Sequence, residues 1–154
     1  MERHVCAVCG NIHYVNPKIV VGAVCSWDGR ILLCRRAIEP RRGFWTIPAG
    51  YLEEQEEPAE GAKREAREEA CADIVIDALL AVNSVPRISQ VQLIYRASLA
   101  APQFAPGTES LETILAAWDE IPWQDLAFPS VHWALNHHHA VEGQDRFVPF
   151  ANPL

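Results

Sequence analysis

The chain has 154 residues, the size of one domain, and 49% of them are apolar, enough for a proper core. Its formal charge of −7 argues against non-specific binding to nucleic acid or anionic membranes, although divalent metals or a small arginine cluster can reverse the sign of one cleft. No apolar run approaches a membrane span, and the opening MERHVCAVCG lacks the apolar segment of a signal peptide.

Five cysteines are present, three of them (Cys25, Cys34, Cys71) in apolar or helical segments. That usage reads as reduced thiols in a cytoplasmic protein rather than as a secreted disulfide framework. The other two form Cys6-x-x-Cys9-Gly10 within HVCAVCGNIHY, a spacing that can grip one metal across a tight turn. A structural zinc needs four ligands. There is no second C-x-x-C, and His4 and His13 stand at a non-standard spacing, so bound Zn2+ and a metal-free loop both remain open readings.

Asn16-Pro17 breaks the chain. IVVGAVCS (19–26) reads as a strand buried on both faces, Asp28-Gly29 as a hairpin turn, and ILLCRR (31–36) as the returning strand. The following loop holds Arg41 and Arg42 and, with Arg35 and Arg36, offers cations to a phosphate-bearing ligand or simply surface charge. Residues 44–47 read as a short strand and Pro48-Ala49-Gly50 as a turn. From Pro58, which suits a first helical turn, a helix runs to about Ala70, with Ala59, Ala62, Ala66 and Ala70 facing a sheet. Strands follow at 72–80, continuing or bending through 85, and at 88–99, then a Pro/Gly loop at 100–110. LETILAAW (111–118) fits helix or strand. A last helix is expected over 130–141 with Ser130 as N-cap and His137, His138 and His139 on the surface, then an extended tail.

The informative stretch is GYLEEQEEPAEGAKREAREEACA, from Gly50 to Ala72. Glu65, Glu68 and Glu69 fall at i, i+3 and i+4, which puts three carboxylates on one helical face. Such a face is either solvated and laced with Glu–Arg pairs, or a platform for a cation.

The positions of Gly50, Glu56, Arg64, Glu65, Glu68 and Glu69 resemble the Nudix box, G-x5-E-x7-R-E-U-x-E-E-x-G-U with U aliphatic. Cys71 stands where that pattern has its late glycine, and Ala66 and Ala72 are small for the U sites. The resemblance implies an α/β fold, the Nudix α/β/α sandwich with a mixed sheet. The chain would then divide into a partial zinc-ribbon-like segment (1–16), a hydrolase domain (17–143) and a tail (144–154).

It also implies a pyrophosphohydrolase using Mg2+ or Mn2+, hard cations that take oxygen ligands. Glu65 and Glu69, then Glu68, would be the ligands, joined by the Gly50 backbone oxygen, with Glu112 as a further candidate ligand. Arg64 would orient the carboxylates and Glu56 support them. Relatives often add a downstream glutamate as general base; Glu112 is the first candidate and Glu109 the second. That role makes LETILAAW a strand.

Segments HYVNPKIVVGAV, ILLCRRAIEPRRGFWTIPAGYLE and FAPGTESLETILAAWDEIPWQDLAF look like the zinc-ribbon branch that includes NADH pyrophosphatases, and most like its FAD pyrophosphatases. SVPRISQVQL only faintly echoes the NADH-recognition sequence. The implied reaction releases AMP from FAD or ADP-ribose, with NADH as the alternative. Phe44, Trp45, Tyr51 and Phe104 are candidates for stacking on substrate rings or for plain core. The resemblance further implies a homodimer. A non-catalytic nucleotide-binding regulator and a zinc-ribbon interaction module are the non-enzyme alternatives; the intact acidic positions disfavour the first, and the acidic charge and half ribbon the second.

Overall fold

The computed structural model describes residues 3–152; residues 1–2 of the expected N-terminal segment and 153–154 of the expected tail lie outside the described residues. The chain begins with a small antiparallel hairpin, β1 (His4–Val5) and β2 (Ile12–His13), whose residues are all exposed. The main sheet starts with β3 (Lys18–Trp27), which turns through Asp28 and Gly29 into β4 (Arg30–Arg36). Both turn residues have positive φ, 48° and 70°, as an Asp-Gly hairpin turn requires.

These two strands pair only beside the turn, at Ser26–Ile31 and Trp27–Arg30. They then take different partners. The short β5 (Trp45–Thr46) joins β4, and β6 (Ala49–Tyr51) runs antiparallel to β3 at Val20–Gly22. Helix α1 (Pro58–Ala70) leads to β7 (Ile74–Val85), which pairs with β8 (Gln90–Leu99). β8 lies parallel to β3 from Lys18 to Ser26, and β9 (Ser110–Ala116) runs antiparallel to β4. The result is one mixed sheet of seven strands, ordered β5-β4-β3-β8-β7 with β6 and β9 attached.

Alternation along the central strands divides the core. Ala23, Cys25, Leu32 and Cys34 pack against Ala66 and Ala70 of α1, while Val24, Leu33 and Leu80 pack against Val131, Ala134 and Leu135 of helix α2 (Pro129–Ala140). This is the expected α/β/α sandwich. Among the described residues no helix is long and apolar enough to cross a membrane.

Local expectations fail in three places, and one ambiguity is settled. Pro48-Ala49-Gly50 is not a turn: Ala49–Tyr51 is recruited as a strand by β3. LETILAAW, ambiguous by periodicity and read as strand from the Nudix resemblance, is strand over most of its length, on a ladder that β4 supplies. The N-cap of α2 is Phe128, not Ser130, because Pro129 already takes the first helical position, where its missing N–H is harmless. His138 is buried rather than on the surface, since it follows Val131, Ala134 and Leu135 on the inward face. The tail also docks: Phe150 exchanges backbone hydrogen bonds with Leu80 and Val82 of β7 at 2.9 Å each.

Candidate active site

The site is built where α1 crosses β6. Glu65 and Glu69 are one turn apart on the inward face of α1, and only 7% and 6% exposed. Burial raises both carboxyls above their ordinary value, Glu69 to about 8. Glu69 is partly compensated by the Ala49 N–H, which donates to its Oε2 at 3.2 Å. Each glutamate also feels the other carboxylates around it, and the charge of Glu109 pushes up both. Arg36 opposes this at Glu69.

Arg64 organises the remaining carboxylates. Its Nε and Nη2 donate to the two oxygens of Glu56 at 2.8 and 3.0 Å, a bidentate pair. Its Nη1 bridges Glu65 Oε1 at 2.7 Å and Glu68 Oε2 at 3.1 Å, and Nη2 also donates to the Tyr51 carbonyl. These hydrogen bonds hold the Glu56 carboxyl below the usual range and push the Arg64 guanidinium further up. One arginine thus ties the loop before the helix, the helix, and the end of β6 together.

Gly50 has a steric reason to lack a side chain. A Cβ there would fall on the carboxylate of Glu65, so this glycine lets β6 backbone lie directly against that group. The Cys71 position ends the helix as a glycine would: its backbone is left-handed, φ 47° and ψ 32°, and its N–H returns to the carbonyls of Ala66 and Arg67.

The donor set fits a hard divalent cation. Two buried carboxyl groups of raised pKa, a third beside them and the half-buried backbone at Gly50 make an oxygen-rich cluster with more acidic groups than Arg64 alone balances. Among the described residues no three His, Cys, Asp or Glu side chains form a closed metal-ligating group, and Arg64 Nη1 sits between Glu65 and Glu68.

Glu112 and Glu109 occupy different surroundings. Glu112 faces Arg35 across the β4–β9 ladder, with Nη1 3.6 Å from its Oε2. Glu109 precedes β9, and its backbone carbonyl accepts the Ala37 N–H at 2.8 Å. The arginines of the 35–42 region are braced by their Nε atoms: Arg35 to Gly43 O, Arg36 to Pro40 O, Arg41 to Ala127 O. Arg36 also lies over the ring of Phe128, and Arg41 over that of Phe44, 3.8 Å from its centroid.

The aromatic candidates separate. Trp45 packs against the core cluster of α2, and Phe104 against that of α1. Phe44 is half-buried beneath Arg41, and Tyr51 is exposed, its ring under Lys18 and its hydroxyl accepting from Gln90. In the N-terminal hairpin, Cys6 and Cys9 are exposed free thiols; backbone amides of Cys9 and Val8 hold the Cys6 thiol below its ordinary value. His4 pairs with His13 across the strands, but they do not join the cysteines in a metal-ligating group.

Two contributors escape a reading of side chains. The Ala49 N–H is backbone, with no signature in the sequence. The 100–109 loop lies on the last turn of α1, where Ala105 and Gly107 donate their N–H groups to the carbonyls of Ala70 and Glu69 at 2.9 and 3.0 Å. Its Pro106-Gly107 pair announces a turn and not a contact.

Known proteins resemble this chain in the same region. A family model described as the NUDIX domain matches residues 16–141. A MutT-like protein of Streptomyces ambofaciens is 33% identical over 99 residues, 64% of this chain and 60% of that protein. An ADP-ribose pyrophosphatase of Methanocaldococcus jannaschii is 33% identical over 73 residues, 47% of this chain and 43% of that protein. The chain therefore spans less than two thirds of the length of either curated relative. The crystal structure of a NUDIX hydrolase from Nitrosomonas europaea matches with a TM-score of 0.91 and 45% identity, covering 97% of this chain and 86% of that one.

Proposed function

The chain belongs to the NUDIX domain family, and from that premise we propose that it hydrolyses the pyrophosphate bond of an ADP-linked dinucleotide or sugar, FAD or ADP-ribose ahead of NADH, releasing AMP. The observation that carries this reading is the pair of buried carboxyls, Glu65 set against the Gly50 backbone and tied to Arg64, and Glu69 held by the Ala49 N–H. Burying two acids with so little compensation is costly unless a cation completes the site. The relatives support the reaction class, one being an ADP-ribose pyrophosphatase.

Glu65, Glu69, Glu68 and the Gly50 carbonyl would hold Mg2+ or Mn2+. When bound, the cation supplies charge neutralisation at the phosphoryl oxygens and lowers the pKa of a water. Arg64 keeps Glu56, Glu65 and Glu68 in fixed orientation, so little reorganisation is needed as charge develops. Of the two candidate bases, Glu109 is favoured, because its charge acts on both Glu65 and Glu69 whereas Glu112 faces Arg35. Glu109 would take the proton of the attacking water. Arg36 and Arg41, with Nε atoms tied to their loop, would present their remaining N–H groups to the phosphates, and Tyr51 and Phe44 the base or flavin ring.

Water adds to one phosphorus and the bridging oxygen leaves with the other phosphate, so FAD yields FMN and AMP, and ADP-ribose yields ribose 5-phosphate and AMP. The remaining elements of the reading are a homodimer and a zinc-ribbon ancestry in which Cys6 and Cys9 would supply two of four Zn2+ ligands. A panel of FAD, ADP-ribose and NADH with Mg2+ or Mn2+, read by AMP release, tests the substrate. FAD or ADP-ribose should give the highest kcat/KM. Preference for NADH overturns the substrate ranking, and tight binding without turnover across the panel overturns the hydrolase.

A further inference from the structure

The loop between β8 and β9 is fastened to the end of the carboxylate helix at a point where no side chain fits. A Cβ at Gly107 would run into the backbone carbonyl of Glu68, with its carbonyl carbon at 2.8 Å and that of Glu69 at 3.3 Å. The obstacle is main chain in the last turn of α1, so it cannot rotate away as a side chain would. The φ of Gly107 is not in the left-handed region, so closeness of approach, and not backbone freedom, is what the glycine provides. The contact is reinforced by the Ala105 and Gly107 hydrogen bonds to the Ala70 and Glu69 carbonyls, two of the acceptors that a helix C-terminus leaves open.

From this anchor the chain reaches Glu109 in two residues. The Ser110 N–H closes a turn onto the Gly107 carbonyl at 3.1 Å, and the Ala37 N–H takes the Glu109 carbonyl at 2.8 Å. The backbone of Glu109 is therefore located by α1 on one side and by the arginine-bearing 37–44 loop on the other. We propose that Gly107 is a positioning residue: lacking a side chain, it seats the 100–109 loop on the carbonyl end of α1 and so fixes Glu109 beside Glu65 and Glu69. A larger residue would lift the loop off the helix and carry Glu109 with it. Displacing a reacting group by about 1 Å costs on the order of 100-fold in rate.

The proposal rests on Glu109 as the base, and the test separates the two. Gly107→Ala, Glu109→Gln and the double variant are compared by steady-state kinetics, with backbone hydrogen exchange on the metal-free proteins. In Gly107→Ala the N–H groups of Ala105, residue 107 and Ala37 should lose protection while β3 and β8 keep theirs. Its kcat should fall about 10- to 100-fold with KM changed less than about threefold, and adding it to Glu109→Gln should cost nothing more. Ala105→Pro, which removes one loop-to-helix hydrogen bond without touching the Glu68 contact, should give a smaller kcat loss, and serves if Gly107→Ala does not fold. Retained protection with wild-type kcat, or losses that add fully in the double variant, overturns the positioning role. Wild-type kcat in Glu109→Gln overturns the base assignment instead.

Discussion

Glu69 carries a conflict between folding and the proposed chemistry. Burial holds its carboxyl up at about 8 against an ordinary value of 4.5. An acid whose folded pKa is raised stabilises the fold fully at pH below its unfolded value, and that stabilisation is lost as pH rises through the folded value. Metal-free protein should therefore lose stability between about pH 4.5 and pH 8. Glu69→Gln removes the ionisation, so thermal melts in chelator should show the variant gaining on the wild type across this window, by about 2–4 °C for each kcal/mol recovered. An unchanged difference in Tm from pH 5 to pH 8 would show that Glu69 is not held in this way. The i, i+3, i+4 spacing made the three carboxylates visible in the sequence. Their inequality was not visible: Glu68 is more than half exposed while its neighbours are buried, and only packing on β6 decides that.

At the scale of elements, α1 was legible from Pro58 and the alanine spacing, and its end tests the account of Cys71. That residue occupies the left-handed region, which costs a side-chain-bearing residue roughly 1 kcal/mol relative to glycine. Cys71→Gly should raise Tm by about 2–4 °C with no change in kcat; a drop in Tm would mean the thiol makes a compensating contact. The β3–β4 hairpin was equally legible, because Asp28-Gly29 specifies its turn locally. The Ala49–Tyr51 strand was not, because Pro48 and Gly50 read as a turn and only the ladder offered by β3 makes the segment extended. By periodicity LETILAAW was ambiguous for the same reason, since a half-buried segment has the apolar content of either element until its partner, β4, is known; only the Nudix resemblance pointed to the strand it forms.

Across the whole molecule, the sheet separates two kinds of packing. Small residues of α1 lie close on one face, while the other face, under α2, carries the larger apolar side chains and receives the tail. Phe150 pairs with β7 and its ring stacks on His137, 4.4 Å between centroids, while Phe147 lies under Arg96. The tail covers part of an edge strand that would otherwise offer unpaired backbone. Phe150→Ala should lower stability by about 1–2 kcal/mol and leave kcat unchanged, as judged by denaturant melts beside the AMP assay; a loss of kcat at intact stability would link the tail to the site. From the sequence this tail was only an extended segment, since two phenylalanines among prolines do not declare their partner strand.

The α/β/α frame converges on one claim, that α1 is a platform for a divalent cation that serves pyrophosphate cleavage. AMP release from FAD and from ADP-ribose with Mg2+, wild type against Glu69→Gln, tests it most directly. The wild type should form AMP, chelator should abolish it, and kcat of the variant should fall roughly 100-fold or more. AMP release by Glu69→Gln at the wild-type rate would contradict that claim.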